Sequence, residues 1–266
     1  MYRNRKNYIK PAGWILFLLC FYAAASFTGC DPALFISRSS HLSDLAADMR
    51  PDLSYFPKIL LPLFYTIQMS VTGTVTGSAL ALIVSPFGAV SLHFPSWARR
   101  LLRLLIQILR SFPALILALA ATFLFGLGTF AITLYTFAIM TKLTYEDAEH
   151  TDTAPYQALI SMGCTRFPAF IHAVLPEILP AFLTNALYLF ETNVRHSSIL
   201  GYVGAGGIGL ILNEKISWRE FHKVGTILLL LFLTVCVIES ANRYFTAVIH
   251  SGQIAELFSG RKDLSK

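Results

Sequence analysis

The sequence predicts an all-α membrane protein with about six transmembrane helices. Three observations predict this class: 55% of the residues are hydrophobic, only 14% are charged, and the apolar residues gather in long runs. An ordinary soluble domain has about 25% charged residues, so a soluble chain of this composition could not cover its surface with polar groups. Crossing a bilayer takes about 20 mostly apolar residues, and several of the runs approach that length.

The predicted spans differ in their local signals. The first follows a basic N-terminus; a cleaved signal peptide is the alternative, but the further spans favour a retained helix. The second carries Gly73 and Gly77, small residues that let membrane helices approach closely. The third contains Pro113, which predicts a kink. The six spans are residues 13–29, 60–84, 101–125, 130–143, 178–200 and 224–240.

The distribution of basic residues predicts that both termini lie in the cytoplasm. With six spans, fourteen Lys and Arg residues fall on the side of the N-terminus and seven on the other side. Loops with more Lys and Arg stay in the cytoplasm. We therefore attribute the net charge of +6 to membrane orientation and do not predict nucleic-acid binding. The predicted organisation is an N-terminal helix with its external connection (1–59), a core (60–245) and a cytoplasmic tail (246–266).

Metal and cofactor chemistry is not indicated by the sequence. The four cysteines and seven histidines are dispersed, without a C-x-x-C or an H-E-x-x-H pattern. The chain also contains no G-x-x-x-x-G-K-[ST] sequence, so we do not expect it to bind ATP itself. We predict no cofactor, no metal and no catalytic residues.

A glycine-rich segment at residues 201–212 raises a competing interpretation. Its G-x-G-x-x-G spacing is typical of a dinucleotide-binding loop, but that loop needs a preceding buried strand in a βαβ unit. No such alternation surrounds it, and glycine-rich breaks at membrane depth occur where they are buried or line a cavity. Two interpretations stay open: a gate or hinge, or a packing turn without a gating role. The glycines are Gly201, Gly204, Gly206, Gly207 and Gly209.

The connection between the fourth and fifth predicted spans, residues 144–177, is long and polar. A helical stretch from Tyr156 to Met162 precedes Gly163, which is a good helix stop. A second short segment, residues 166–174, runs into Leu175 and Pro176. The pattern predicts a helix-turn-helix that protrudes on the cytoplasmic side.

The spacing of this connection resembles the EAA loop of ABC importer permeases. In that family Glu-Ala-Ala is followed at fixed intervals by Gly and by Leu-Pro. Here the corresponding residues are Gln157-Ala158-Leu159, Gly163 and Leu175-Pro176. Gln157 replaces the family's Glu, so a salt bridge made by that Glu would be lost. The resemblance implies that this loop couples the chain to a separate cytoplasmic ATPase.

A second stretch, FETNVRHSSILGYVGAGGIGLIL at residues 190–212, is similar to the permeases of phosphonate importers. RPDLSYFPKIL and RSFPALILAL also resemble that family, so the likeness covers residues 50–212, most of the chain. It implies a type I ABC importer permease fold in the bacterial cytoplasmic (inner) membrane, with a non-catalytic role. Implied partners are the ATPase, an extracytoplasmic substrate-binding protein and a second copy of the chain. The implied cargo is phosphonate or a related oxyanion.

Three polar residues of the fifth predicted span, Glu191, Asn193 and Arg195, are candidates for the translocation path. Ionisable residues in a membrane helix are costly and are expected to face the bundle interior. Glu191 and Arg195 are four residues apart, so they share a face and can pair. One interpretation is a self-neutralising pair that fixes helix packing. The other places Arg195 and Asn193 on the path of an anion, because a guanidinium binds phosphoryl oxygens well.

Other functions remain as alternatives. A permease of the same fold for another cargo, such as methionine, is the closest, because fold does not fix substrate. A secondary transporter would need ion-coupling groups in the spans, where only Glu191 and Glu239 are available. An intramembrane enzyme would need a catalytic set at membrane depth, and the sequence offers none.

Overall fold

The computed structural model describes residues 9–29, 37–125, 128–201, 204 and 206–251. Every regular element in these ranges is helical. The predicted all-α class is therefore confirmed. The chain divides into two compact units, Met1–Arg50 and Pro51–Lys266.

The first unit contains two described helices, α1 (Ile9–Phe27) and α2 (Ser39–Asp48). The side chains along α1 from Trp14 to Tyr22 are exposed, although most of them are large and hydrophobic. The apolar part of α1, Gly13–Phe27, is shorter than the roughly 20 residues that cross a bilayer. The first predicted span is thus a helix, but its passage through the membrane is not confirmed.

The core of the second unit is the pair α3 (Phe56–Val84) and α6 (Gly128–His150). A Cβ atom on Gly73 would lie 2.6 Å from Cγ2 of Ile132, and one on Gly77 would lie 2.7 Å from the carbonyl oxygen of Thr133. The two helices therefore approach closely where the glycines lie, with the Ile132 side chain against Gly73 and backbone against backbone at Gly77. Small residues allow this approach, as the sequence predicted.

The third predicted span is not one straight helix. Instead α4 (Ser96–Ser111) and α5 (Ala114–Phe125) meet at a bend of 100°. Phe112 between them has an extended backbone, φ −81° and ψ 133°, because a residue that precedes proline is disfavoured in the helical region. Pro113 therefore does more than kink the span: it divides the span into two helices of different direction.

The connection between α6 and the next long helix is shorter than predicted. Its first helix, α7, spans Ala154–Ser161, and α8 spans Arg166–Ala169. A wide turn, Phe170–Val174, then joins α8 to α9 (Leu175–Leu200), so that residues 166–200 form one continuous helix. The predicted segment at 166–174 is thus helical, and it runs into Leu175 and Pro176 without a break. The wide turn accommodates Pro176, which has no N–H for the preceding helical turn.

Two further helices complete the described part of the second unit: α10 (Ile208–Ser217) and α11 (Phe221–His250). Among the described residues, three helical stretches are long and apolar enough to cross a membrane: Leu53–Phe87, Arg166–Leu200 and Phe221–His250. The bent pair α4–α5 makes a fourth if it counts as one span. The predicted number of six spans is not confirmed.

Candidate functional site

The predicted polar pair on α9 forms an ion pair. Arg195 donates to Oε1 of Glu191, and Nδ2 of Asn242 on α11 donates to Oε2 of Glu191 over 3.3 Å. Glu191 is buried, with 8% of its surface exposed, whereas the side chain of Arg195 is 51% exposed. The carboxylate is therefore held between two helices, while the guanidinium has room for another partner.

A second ion pair lies on the neighbouring helix α11. Arg243 donates to Oε1 of Glu239 one helical turn away, and both side chains are more exposed than Glu191. Together with Glu191 they line an open groove of about 700 Å³ between α9 and α11. We call it the polar groove. Its lining residues are Thr184, Tyr188, Glu191, Glu239, Asn242, Arg243, Thr246, Ala247 and His250.

Asn193 does not share this face. Its Nδ2 donates to Oγ1 of Thr74 on α3 over 2.9 Å and to Oγ1 of Thr136 on α6 over 2.8 Å, and the residue is 1% exposed. Residues two positions apart point about 200° away from each other around a helix, which separates Asn193 from Glu191. In this conformation the amide links three helices, and it has no free donor for a ligand.

Arg243, which lines the polar groove, was not among the residues predicted for the translocation path. The signal was present: Glu239 and Arg243 have the spacing of a helical ion pair, inside an otherwise apolar stretch. Asn242 carried no comparable signal, because its hydrogen-bond partners lie far away in the sequence. Its amide donates to Glu191 and, over 3.0 Å, to the carbonyl oxygen of Leu187, both on α9.

Two of the predicted hinge glycines pack against each other. A Cβ atom on Gly201 would lie 2.2 Å from the carbonyl carbon of Gly209, and one on Gly209 would lie 2.2 Å from the carbonyl oxygen of Ser198. Real Cβ atoms essentially never come within 3.0 Å of such atoms. The end of α9 and the start of α10 can therefore approach this closely only if both positions are glycine.

The other three glycines have left-handed backbones, with φ of +81° at Gly204, +89° at Gly206 and +70° at Gly207. Such angles favour glycine, because other side chains are strained there. Thr66 on α3 holds this segment, since the N–H of Ile208 donates to its Oγ1 over 2.8 Å. The start of α10 is thus fastened to α3. Tyr202, Val203 and Ala205 lie outside the described residues.

The segment that resembles the EAA loop lies at one end of the bundle. Tyr156 of α7 is buried in a cluster with Tyr145 of α6 and with Phe170 and Val174. Its hydroxyl donates to the carbonyl oxygen of Leu92 over 2.8 Å, and burial raises the pKa of this hydroxyl. These contacts seat α7 on the end of α6.

The predicted coupling residues on this segment are accessible. Gln157, Ala158 and Gly163 are exposed, and so is Pro176 at the start of α9, next to the half-buried Leu175. Nε2 of Gln157 lies 3.5 Å from Oγ1 of Thr153 and has no ionic partner among the described residues. The row of exposed side chains leaves this surface open to another protein.

Gly163 ends α7 as predicted. Its φ is +91°, its N–H donates to the carbonyl oxygen of Ile160 over 2.9 Å, and the N–H of Cys164 donates to that of Leu159 over 3.0 Å. This pair of bonds is the Schellman arrangement that glycine commonly completes at a helix end. The glycine thereby sets the direction in which the chain leaves α7.

Comparison with known proteins agrees with the observed fold. Residues 73–248 match the family described as "Binding-protein-dependent transport system inner membrane component". The phosphite transport system permease protein PtxC of Stutzerimonas stutzeri is 30% identical over 231 residues, 85% of this chain and 82% of that protein. The phosphate-import permease protein PhnE of Mycolicibacterium smegmatis is 36% identical over 186 residues, 65% of this chain and 34% of that protein.

Solved structures show the same architecture at low identity. A chain of the MetNI methionine ABC transporter, in an inward-facing form, superposes with a TM-score of 0.64 at 20% identity, over 74% of this chain and 99% of that chain. This likeness shows the fold, that of type I ABC importer permeases. The long match to the family model and the relatives at 30–36% identity fix the affiliation. The chain is therefore a multi-pass membrane protein that belongs to the family of binding-protein-dependent transport system inner membrane components.

Proposed function

We propose that this chain is the membrane-spanning subunit of an ATP-driven importer that moves phosphonate, phosphite or phosphate into the cytoplasm. The observation that carries the proposal is the half-exposed guanidinium of Arg195 on a membrane helix, paired with Glu191, a residue that lines the polar groove. A planar guanidinium is a strong partner for phosphoryl oxygens. The relatives named for phosphite and phosphate transport support the same cargo class.

Glu191 gives this arginine the properties of a transient site. Without a substrate the carboxylate neutralises Arg195, and Asn242 keeps the carboxylate in place when the guanidinium turns away. An oxyanion therefore has to compete with Glu191 for Arg195. A transport path must bind its cargo weakly enough to release it, and this competition weakens the binding.

The segment around α7 couples this chain to the ATPase. A separate ATPase docks on the exposed surface that includes Gln157, Ala158 and Gly163, near Leu175 and Pro176 at the start of α9. Because α8 and α9 form one continuous helix, a displacement at this surface travels along a rigid element towards Glu191 and Arg195. Movement of the ATPase pair thereby switches access to the polar groove.

The remaining partners complete the transport path. A substrate-binding protein delivers the anion on the opposite side of the membrane, and both termini lie in the cytoplasm. The polar groove is open along one side, so a second copy of the chain closes it in a symmetric pair. ATP hydrolysis belongs to the ATPase, and this chain contributes the path and the coupling surface. The glycines between positions 201 and 209 follow the helix that carries Arg195, and we assign them a hinge role in the same switch.

Replacing Gly163 with valine should uncouple ATP hydrolysis from uptake while the protein still folds. No atom lies within 4 Å of a Cβ at this position, so the cost is local backbone strain. That strain is on the order of 1–2 kcal/mol, which lowers the equilibrium constant for the native backbone conformation at the end of α7 roughly tenfold. Uptake per ATP hydrolysed should fall by about the same factor.

Gly163→Asn is the matched control, because asparagine tolerates a left-handed backbone better than valine does. It should keep most of the uptake. Equal uptake by the Gly163→Val variant and the wild type would contradict the coupling role of this turn.

Co-purification tests the class of transporter. The full chain, extracted from membranes in which it is produced together with candidate ATPase and binding-protein subunits, should form a stable complex with the ATPase. A matched preparation with Tyr156→Ala, which unseats α7, should lose the ATPase while the membrane subunit remains. If the wild-type chain retains no ATPase, the proposed function fails, and proton-coupled uptake becomes the alternative to measure.

A further inference from the structure

Helix α4 carries a row of arginines that the proposed transport function does not use. Arg99, Arg103 and Arg110 lie within a narrow sector of the helix, and Arg100 extends the same polar side. Gln107 lies between them, so that this side of α4 is polar along its length. Four cations on one side of a sixteen-residue helix is an unusual charge density for a chain with 14% charged residues.

The adjoining side of α4 is apolar and uncovered. Its side chains are between 46% and 69% exposed, although each is large and hydrophobic. Water does not stabilise such a surface, so a hydrophobic environment has to cover it. The residues are Trp97, Leu101, Leu104, Leu105 and Ile108.

One arginine of the row fastens α4 to the bundle. Arg103 donates to the carbonyl oxygen of Gly88 over 3.0 and 2.8 Å and forms an ion pair with Glu149 near the end of α6. Its guanidinium also lies 4.8 Å from the centre of the Tyr145 ring. Arg103 is therefore occupied, and it holds α4 at the end of the bundle where α7 lies.

The other three arginines have no anionic partner among the described residues. Arg100 donates from Nε to the carbonyl oxygen of Ser96 in its own helix over 3.3 Å, and Arg99 and Arg110 make no ion pair within the described ranges. Three cations thus lie next to an exposed apolar surface. Their combination is characteristic of a helix that lies in the membrane interface.

We propose that α4 lies along the membrane surface and binds anionic phospholipid headgroups through Arg99, Arg100 and Arg110. The bend of 100° places α4 close to the membrane plane when α5 points along the bilayer normal. The apolar side then enters the acyl region, and the arginines meet phosphate groups at headgroup level. An acidic protein or a nucleic acid would satisfy the arginines but would leave Trp97 and the leucines in water.

Fluorescence quenching of Trp97 tests this proposal on the full chain in lipid vesicles. The chain has three tryptophans, so Trp14→Phe and Trp218→Phe leave Trp97 as the single reporter. Brominated phosphatidylglycerol and brominated phosphatidylcholine are compared at equal mole fraction. We expect roughly fivefold more effective quenching by the anionic lipid, since basic residues at a surface concentrate anionic lipids. Equal quenching by the two lipids, or quenching by neither, overturns the proposal.

Substitutions separate headgroup binding from general basicity. In the single-tryptophan chain, Arg99→Gln, Arg100→Gln and Arg110→Gln together should abolish the preference, and each alone should reduce it. The matched set Arg38→Gln, Lys58→Gln and Arg219→Gln should leave it unchanged. If the matched set abolishes it equally, α4 is not the site and the proposal fails.

Inorganic phosphate distinguishes a lipid site from a site for a free anion. Addition of millimolar phosphate at constant ionic strength should leave the preference for phosphatidylglycerol intact, because the lipid is concentrated in the plane of the membrane. Loss of the preference under these conditions overturns the proposal in favour of a free-anion site. Neither result depends on the ATPase or on transport, so the test is independent of the proposed function.

Discussion

Replacing Gly209 with alanine should strongly destabilise the folded protein. The new Cβ would lie 2.2 Å from the carbonyl oxygen of Ser198 and 2.7 Å from Cα of Gly201, and backbone atoms cannot rotate away as side chains do. Overpacking typically costs 1–3 kcal/mol and occasionally more, and we expect about 3 kcal/mol or more at this backbone contact. Such a loss is a large fraction of a typical folding free energy of about 5–15 kcal/mol. The yield of monodisperse protein in detergent and its thermal midpoint measure the effect.

Gly204→Ala is the matched control for Gly209→Ala. No atom lies within 4 Å of its Cβ position, and only the φ of +81° makes alanine unfavourable there. We expect a cost of about 1–2 kcal/mol from that backbone angle. If Gly209→Ala accumulates and melts like Gly204→Ala, the close contact between α9 and α10 is not a determinant of folding.

Gly204→Ala also separates the two interpretations of the glycine segment, a packing turn or a hinge. A packing turn predicts that uptake per folded molecule stays normal in Gly204→Ala. A hinge predicts that this variant folds but transports slowly. The second result is the one that our proposed hinge role requires.

Replacing Arg195 with alanine should abolish most of the uptake. A hydrogen bond to a charged group contributes about 1.5–3 kcal/mol, which corresponds to a loss of roughly 10- to 100-fold. Arg195→Lys should restore part of the uptake, since it keeps the charge but loses the planar fork. Transport of radiolabelled phosphite or phosphate into vesicles, normalised to the amount of assembled complex, measures the effect.

A structural role of Arg195 is separated from a transport role by a double variant. Arg195→Ala leaves the buried carboxylate of Glu191 without its ionic partner, which alone can destabilise the protein. Adding Glu191→Gln removes that charge. If the double variant regains both stability and uptake, the ion pair serves packing only and the transport role of Arg195 is contradicted. Lys142→Ala, which breaks a helical pair with Glu146 away from the polar groove, is the matched control.

The features that the sequence predicted well are local ones. Gly163 was predicted as the end of a helix, and its backbone and hydrogen bonds agree, because a helix stop depends on a few neighbouring residues. Gly73 and Gly77 were predicted as points of close helix approach for a similar reason. The pairing of Glu191 with Arg195 followed from the helical period alone.

The features that the sequence did not predict depend on distant partners. Nothing near Asn193 in the sequence reveals that its amide joins Thr74 and Thr136, because these residues lie on other helices. Pro113 predicted an interruption but not the bend of 100°, since the packing of the two flanking helices sets the direction. Taken alone, the G-x-G-x-x-G spacing would indicate a nucleotide site. Such a site needs a βαβ unit, whereas the elements on either side of this segment are helices.

Stimulation of ATP hydrolysis tests the central claim most directly. The full chain, its ATPase and its binding protein are reconstituted together in lipid vesicles. Phosphonate, phosphite, phosphate and methionine are then added separately, and the rate of ATP hydrolysis is compared with and without the binding protein. Our account predicts that at least one phosphorus oxyanion raises the rate, that the binding protein is required, and that methionine has no effect. Stimulation by methionine alone, or no response to any phosphorus oxyanion, would contradict the proposed cargo.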